Sequence, residues 1–417
     1  MTLRLLAALV AILMLGAATA CSSDSQPESQ SQPESTESEF ADGDSSAETV
    51  ERAVPAEVPA GERVVGFYTP PLRGKDAPEQ ELEVLDLLPP EVLDKVTHLI
   101  SYVNVVDGEC TPDERQSQIL DDLSTYKDDR PDLRVILSLA IGLPTETNKW
   151  VETTSTPENR AEVVSSCVAL VERLGFDGVD VDWEFPSDKE QADNHLSFMT
   201  ELRAALDEYR ADTELTVDVP GVWIPGQPPN YRWDELIDLL SWFNVMTYDL
   251  GLLSGVTALN APLHSPEGAT DLISQGSTYE LSQALYNDLG VPPDMYVMGV
   301  PFYGYRFLRA EPANNGLFQP YAKDLPEDVG ESEQIRYAEI ADKYLDTYER
   351  HWNEGGQSPW LWDPATQTVI AYDDAESITA KVDWMQEEGL GGVMMWHLNT
   401  QDPEATLFKA LAKAMDT

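Results

Sequence analysis

Short apolar runs alternate with longer amphipathic stretches along most of the chain. Eight of these runs, bounded by turn residues and rich in valine, isoleucine and aromatic residues, have the length and composition of buried strands. They occupy residues 63–68, 96–104, 134–139, 178–184, 215–219, 242–248, 296–303 and 392–397. The pattern therefore predicts eight β-strands, distributed from residue 63 to near the end of the chain.

Helical periodicity separates several of these strands. In residues 195–209, for example, apolar side chains recur at the three- and four-residue spacing of one helix face. Helices are predicted at 159–174, 195–209, 374–388 and 403–415. Strands alternating with helices favour an α/β fold, and a closed (β/α)8 TIM barrel is the simplest such architecture. A doubly wound open sheet is the alternative, but no glycine-rich phosphate loop follows the first strand.

One interval is too long for a simple barrel connection. Residues from about 305 to 370 separate the seventh strand from the next barrel helix, and they contain their own pattern. A helix is predicted at 336–351, with short strands at 358–362 and 368–372. We expect a small α+β insertion after strand seven, forming one wall of a cleft, because barrel active sites lie at the carboxyl ends of the strands.

The N-terminus has the features of an export signal. Residues 1–20 combine Arg4, a short apolar run and small residues, and the run is too short to span a bilayer. The segment that ends at Cys21 resembles a bacterial lipobox, which implies cleavage before Cys21 and its lipidation. An ordinary signal peptide is the alternative. Residues 21–60 are rich in Ser, Glu, Gln and Pro and predict a disordered tether to a domain at 61–417. Both alternatives place the protein outside the cytoplasm, either secreted or anchored to the cell membrane by lipid alone.

Charge and cysteine content exclude several functions. The 417 residues carry a formal net charge of −49, so the chain has no electrostatic basis for binding nucleic acid or an anionic membrane surface. A solvated acidic surface, suited to a salty habitat, is favoured over a polycationic substrate. Cys110 and Cys167 could form a disulfide, and a buried free thiol is equally compatible. No Cys/His cluster occurs, so we expect no metal site and no cofactor, and we expect a monomer.

The most informative stretch is residues 177–184. Side chains alternate along a strand, so Asp180, Asp182 and Glu184 share one face. Like charges this close cannot all ionise, and at least one pKa should be raised, as a proton donor near neutral pH requires. The alternative is an acidic strand end that binds a cation or caps the next helix.

Other strand ends carry residues suited to sugar binding. Aromatic rings stack on pyranose rings, and tyrosine hydroxyls and carboxylates hydrogen-bond sugar hydroxyls. These residues lie at 182–184, 246–249, 301–304 and 395–397.

Together these segments resemble glycoside hydrolase family 18, the chitinase family. The stretch 177–184, DGVDVDWE, matches the family signature DGxDxDWE at every fixed position. The resemblance covers roughly residues 62–415 and extends to MTYD at 246–249, NAPL at 260–263, GVPFYG at 299–304, Tyr372-Asp373-Asp374 with Ser377 and Lys381, and GGVMMW at 391–396.

The resemblance implies a substrate-assisted retaining mechanism. Glu184 would protonate the glycosidic oxygen and then activate water, while the substrate's own N-acetyl oxygen acts as nucleophile. Asp182 would hold the acetamido N–H, Asp180 would share a proton with Asp182, and Tyr248 would bond the acetamido oxygen. Further substrate contacts are expected from Tyr68, Trp183, Met246, Asp249, Tyr303 and Trp396.

The expected function is endo-hydrolysis of β-1,4-linked N-acetylglucosamine polymers, most simply chitin. Peptidoglycan and N-glycan cores are alternative substrates, and a lectin-like protein that binds without cutting is a different class. Three departures from the family pattern bear on substrate choice. They are Ala140-Ile141 in place of the two glycines of an SxGG motif that keeps Ser138, the 250–253 sequence LGLL after Asp249, and Tyr305 where an arginine often follows the strand-seven glycine.

Overall fold

A computed structural model describes residues 57–68, 93–140, 147–223, 228–322 and 332–416 of the chain. The predicted signal peptide at 1–20, the lipidation site Cys21 and the tether up to residue 56 lie outside the described residues.

Eight parallel strands close into a barrel, which confirms the predicted (β/α)8 fold. Strand β1 pairs with both β14 and β2, so the sheet has no open edge at this point. The strands of the barrel are β1 (Arg63–Phe67), β2 (His98–Val106), β4 (Arg134–Ala140), β5 (Gly178–Asp182), β6 (Glu214–Pro220), β7 (Trp242–Met246), β8 (Tyr296–Pro301) and β14 (Gly392–Trp396). A short strand, β3 (Glu109–Cys110), pairs antiparallel with the end of β2.

Close strand packing places a strict requirement on the start of β5. Gly178 lies against the backbone of Glu214 on β6, and a Cβ atom at residue 178 would be 2.3 Å from the Glu214 carbonyl oxygen. Only glycine permits this approach. The glycine thereby sets the position of β5 against β6, and with it the position of the carboxyl groups further along β5.

Helices cover the barrel, and α-helices occur at each of the four segments predicted to be helical, 159–174, 195–209, 374–388 and 403–415. The α-helices are α1 (Glu114–Asp128), α2 (Thr147–Thr154), α3 (Pro157–Leu174), α4 (Lys189–Tyr209), α5 (Trp233–Ile237), α6 (Leu272–Gly276), α7 (Tyr279–Asp288), α8 (Tyr337–Lys343), α9 (Ala375–Glu387) and α10 (Thr406–Met415). Local sequence explains the bounds of α3, where the side chain of Thr156 caps the start and Gly175, at φ 67°, ends it. None of the helices in these described ranges has the length and apolarity needed to cross a bilayer.

The long interval after β8 contains a five-stranded antiparallel sheet, in the order β10-β9-β13-β12-β11. Its strands are β9 (Tyr303–Phe307), β10 (Ser332–Arg336), β11 (Glu349–Asn353), β12 (Ser358–Asp363) and β13 (Thr368–Ala371). The predicted seventh strand was therefore too long, because the barrel strand ends at Pro301 and Tyr303 begins the inserted sheet.

The predicted helix at 336–351 was wrong in its second half. Helix α8 ends at Lys343, and residues 349–353 form a strand that pairs with β12. The ring of His351 stacks on that of Trp360 across this pair, with centroids 5.1 Å apart. Cross-strand packing of this kind outweighs local helix preference, which is weak for this stretch.

Cys110 on β3 and Cys167 on α3 are joined by a disulfide that spans 57 residues. The structure thus decides between the two alternatives left by the sequence. Both cysteines are buried. The bond ties the hairpin at the end of β2 to the helix that precedes β5.

We predict that replacing both cysteines, Cys110→Ser with Cys167→Ser, lowers the free energy of unfolding by about 2–4 kcal/mol, because the crosslink restricts a long loop in the unfolded chain. Urea denaturation measures the change. Parent protein treated with reductant should match the double variant. Equal stability of the oxidised parent and the double variant would contradict this expectation.

Candidate active site

The carboxyl groups of β5 meet side chains from three neighbouring strands. Asp180 is fully buried and accepts hydrogen bonds from Ser138 Oγ at 2.7 Å, Thr216 Oγ1 at 2.6 Å and Asn244 Nδ2 at 3.1 Å. Burial raises the pKa of Asp180, and these three donors oppose the rise. Asp180 therefore anchors the strand with its carboxylate surrounded by donors from β4, β6 and β7.

Asp182 lies two residues beyond Asp180, at the carboxyl end of β5. The hydroxyl of Tyr102 donates to Asp182 Oδ2 at 3.0 Å. Burial, followed by the negative charges of Glu184 and Asp180, raises the pKa of Asp182 well above its ordinary value, although the Tyr102 bond opposes this. Asp182 is thus held in place by one donor and carries a strong tendency to bind a proton.

Glu184 follows β5 and is exposed at the end of the barrel. Although part of the side chain meets solvent, the surrounding protein still removes water from the carboxyl group. This burial, followed by the negative charge of Asp249, raises the pKa of Glu184. A carboxyl group that is both accessible and protonated closer to neutral pH is suited to general acid catalysis.

Asp249 is held by residues from two different parts of the fold. Its backbone N–H donates to Asn260 Oδ1 at 3.0 Å, which supports the positive φ of 60° at Asp249. The hydroxyl of Tyr303 donates to Asp249 Oδ1 at 2.5 Å, and Tyr305 also hydrogen-bonds this carboxyl. Burial nevertheless raises the pKa of Asp249. The inserted sheet, which supplies both tyrosines, therefore completes this side of the site.

Tyr248 lies beside these carboxyl groups and is 9% exposed. Burial, followed by the charges of Asp218 and Asp249, raises the pKa of its phenol well above the ordinary value. The ring packs edge-on against Tyr303, with centroids 6.0 Å apart. Tyr248 therefore remains a neutral hydrogen-bond donor.

Trp396 ends β14 and is half-buried. Its ring packs against Phe67 and Tyr102, with centroids 5.3 and 6.0 Å away. Met246, at the end of β7, is also half-buried, while Tyr68 at the end of the first barrel strand is 3% exposed. Tyr102 therefore connects the aromatic surface of Trp396 to the carboxyl of Asp182.

Trp183 does not belong with the substrate-contacting residues, which corrects the prediction made for it. Its side chain is fully buried and stacks on Trp150, with ring centroids 5.3 Å apart and planes within 3°. The alternation that directs Asp182 and Glu184 into the barrel directs Trp183 outward, toward the helices. Trp183 supports β5 from behind.

Three residues of the site were missed by sequence reasoning. Tyr102 bonds Asp182, and Tyr231 donates its hydroxyl to the backbone oxygen of Trp183 at 3.0 Å. Asp218 on β6 adds a buried carboxyl group. Alternation from Thr216 to Asp218 in the predicted fifth strand was a usable signal for Asp218, but nothing local singled out Tyr102 or Tyr231.

A sequence profile of the family described as Glycosyl hydrolases family 18 matches residues 63–402. Among curated proteins, the chain is 27% identical over 413 residues to Chitinase B of Serratia marcescens, covering 84% of this chain and 83% of that protein. It is also 27% identical over 297 residues to Chitinase A1 of Niallia circulans, covering 67% of this chain. The match spans only 42% of the length of Chitinase A1.

Solved structures with the same fold include an N-acetylglucosaminidase and a protein described as a pseudo-chitinase. A glycoside hydrolase family 18 N-acetylglucosaminidase from Paenibacillus barengoltzii has a TM-score of 0.71 and 26% identity, covering 84% of this chain and 99% of its own. Human YKL-39, described as a pseudo-chitinase with retained chitooligosaccharide binding, has a TM-score of 0.73 and 20% identity, covering 85% of this chain and 100% of its own. The second likeness concerns the fold alone.

We predict that Trp183→Ala lowers the free energy of unfolding by about 3–5 kcal/mol, because it removes a fully buried ring from behind β5. The half-buried Trp396 is the matched comparison, and Trp396→Ala should cost less stability. Urea denaturation of the two variants tests this assignment. A larger loss for Trp396→Ala would contradict the assignment of Trp183, rather than Trp396, to structural support of β5.

Proposed function

This chain belongs to glycosyl hydrolase family 18, and on that premise we propose that it hydrolyses β-1,4-linked N-acetylglucosamine polymers, with chitin and its oligosaccharides as substrates. The observation that carries the proposal is the pairing of an accessible carboxyl of raised pKa, Glu184, with the Tyr102-bound carboxyl of Asp182 on the same face of β5. An acid for the leaving group thus lies beside a group able to hold an acetamido N–H.

In the first step, Glu184 gives its proton to the glycosidic oxygen as the bond from this oxygen to the anomeric carbon breaks. The carbonyl oxygen of the substrate's own N-acetyl group forms the new bond to this carbon, which gives an oxazolinium intermediate. In the second step, Glu184 takes a proton from water as the water opens the intermediate. Two inversions give net retention.

Each of the surrounding residues has a role in this mechanism. Asp182 receives the acetamido N–H and stabilises the positive charge, while Asp180 holds the strand behind it. Tyr248 donates to the acetamido oxygen, and its raised pKa keeps the donor proton in place. Trp396 provides the apolar surface for the sugar ring, and Met246 and Asp249 shape the same pocket. Tyr303 acts through Asp249, and Tyr68 borders the site at the first strand.

Curated relatives support chitin over the other polymers that carry an N-acetyl group. The relatives from Serratia marcescens and Niallia circulans are both named chitinases. Peptidoglycan and N-glycan cores are the alternative substrates, because they also carry an N-acetyl group beside the scissile bond. A non-cutting protein of the pseudo-chitinase kind is disfavoured, because Glu184, Asp182 and Tyr248 are all present.

An extracytoplasmic location is part of the proposal. The Cys110–Cys167 disulfide supports it, because such bonds persist in oxidising compartments. Attachment through a lipid on Cys21 remains a prediction.

We predict that Glu184→Gln lowers the hydrolysis rate by about 10²-fold or more, because it removes the general acid while keeping the shape of the side chain. The assay compares chitin oligosaccharides, peptidoglycan fragments and a high-mannose glycan side by side. Glu190→Gln, an exposed acid in the first turn of α4, is the matched control and should keep the parental rate. Full activity of Glu184→Gln would refute the assigned acid, and binding of oligomers without cleavage by the parent would refute the enzymatic function.

We also predict that Asp249→Asn moves the alkaline limb of kcat/KM to lower pH. Glu184 must be protonated to act, so the rate falls as pH rises through its pKa. The negative charge of Asp249 helps to hold that pKa up, and its removal lowers the pKa. Asp342→Asn, an exposed acid on α8, should leave the limb unchanged. A limb that stays in place or moves to higher pH in Asp249→Asn would contradict this electrostatic role.

A further inference from the structure

Asp218 is a fifth carboxyl group at the site, beside Asp180, Asp182, Glu184 and Asp249, and it has no role in the proposed mechanism. It lies on β6 and is 2% exposed. Buried carboxyl groups are costly unless they are hydrogen-bonded, paired or protonated. Its position on β6 indicates its partner.

Strand register places Asp218 beside Asp182. The last pair of the β5–β6 ladder is Val181 with Val217, and Asp182 and Asp218 are the next residues of the two strands. Both point into the barrel, because Asp180 and Thr216 form the inward pair two residues earlier. Neighbouring strands are about 4.8 Å apart, so the two carboxyl groups lie side by side.

Each carboxyl group of the pair has one oxygen without a partner. Tyr102 donates to Asp182 Oδ2, and Asn244 hydrogen-bonds Asp218. Within the described part of the chain, the buried Oδ1 atoms of Asp182 and of Asp218 have no hydrogen-bond partner. Two carboxylate oxygens are both acceptors, and they can bond each other only if one of them carries a proton.

Asp180 is a poorer holder of that proton. Its Oδ1 accepts from Thr216 and Asn244, and its Oδ2 accepts from Ser138. These three donors and the backbone of Val181 all favour the ionised form of Asp180, whereas Asn244 alone opposes the raised pKa of Asp218. The unpartnered oxygens belong instead to the other two aspartates.

We propose that Asp182 and Asp218 share one proton as a carboxyl pair, with Asp218 its resting holder, and that Asp218 is thereby a positioning residue for Asp182. This differs from the arrangement implied by the family resemblance, in which Asp180 shares the proton.

The electrostatic surroundings agree with this pairing. Burial, followed by the charges of Asp180, Asp182 and Glu184, raises the pKa of Asp218 well above its ordinary value. Burial likewise raises the pKa of Asp182. Three tyrosines and one further carboxyl group are the remaining titratable neighbours. The negative charge of Asp218 contributes to the raised pKa values of Tyr102, Tyr231 and Tyr248. The further carboxyl group is Asp249, whose charge contributes to the raised pKa of Glu184.

The consequence for catalysis rests on the proposed function. Asp182 must be an anion when it holds the acetamido N–H. With the proton on Asp218, Asp182 can take that form while the pair carries a single negative charge. A second buried anion beside it would be strongly disfavoured.

The test is a pH titration of aspartate carboxyl signals by 13C NMR in the full chain without substrate. A pair that shares a proton titrates in two well-separated steps and retains one proton between them. Asp218→Asn and Asp182→Asn should each abolish the same retained-proton signal and leave a single step. Asp249→Asn removes a carboxyl of the same site that bonds Tyr303 and Tyr305, and it should leave both steps in place.

Two results would overturn the pair: both steps surviving in Asp218→Asn, or both aspartates fully ionised at neutral pH in the parent. Because the titration uses no substrate, its result is independent of the polymer that the enzyme cuts. If the pair is confirmed and the protein does not cleave chitin, only the proposed substrate is contradicted.

A kinetic comparison tests the positioning role. Asparagine at 218 can still donate to Asp182, whereas valine cannot. We expect kcat of Asp218→Val to fall below that of Asp218→Asn by on the order of 10²-fold, with KM changing much less. Equal kcat values for the two variants would overturn the positioning role.

Discussion

Close burial of several carboxyl groups is the constraint on which the site depends. Asp180, Asp182 and Asp218 lie on two adjacent strands, with Glu184 at their end. Ionising all of them together would be prohibitive in a barrel interior. Neutral hydrogen-bond donors stabilise two of these carboxyl groups. Two hydroxyls and an amide donate to Asp180, and a phenol donates to Asp182. Burial and the same crowding raise the pKa values of Asp218 and Glu184, which favours their protonated forms.

An aromatic layer behind β5 fixes the carboxyl groups from outside the barrel. Trp183 stacks on Trp150, and its ring also packs against His195. Burial lowers the pKa of His195 to about 3, so the imidazole is neutral and behaves as part of this apolar layer. Tyr231 holds the backbone between Asp182 and Glu184 through the carbonyl of Trp183. Glu184 and Asp182 are therefore positioned by aromatic packing as well as by strand pairing.

The inserted sheet contributes directly to the carboxyl cluster. Tyr303 and Tyr305 reach Asp249 from β9, and Asp249 in turn acts on Glu184. Where the family pattern often has an arginine, Tyr305 supplies a neutral donor. A cation beside Asp249 would stabilise its charge, whereas two phenols leave its pKa raised by burial. Tyrosine instead of arginine at position 305 therefore leaves Asp249 without a neighbouring positive charge from that position.

The sequence by itself determined the barrel and the inward face of β5, because both depend on local periodicity. Apolar runs specify strands, and a two-residue alternation places Asp180, Asp182 and Glu184 together whatever surrounds them. Only the tertiary structure decided what lies beside that face. The register between β5 and β6 brings Asp218 to Asp182, and the return of β14 to β1 brings Trp396 to Tyr102. The strand at 349–353 and the outward packing of Trp183 were likewise decided by partners distant in sequence, which no local pattern encodes.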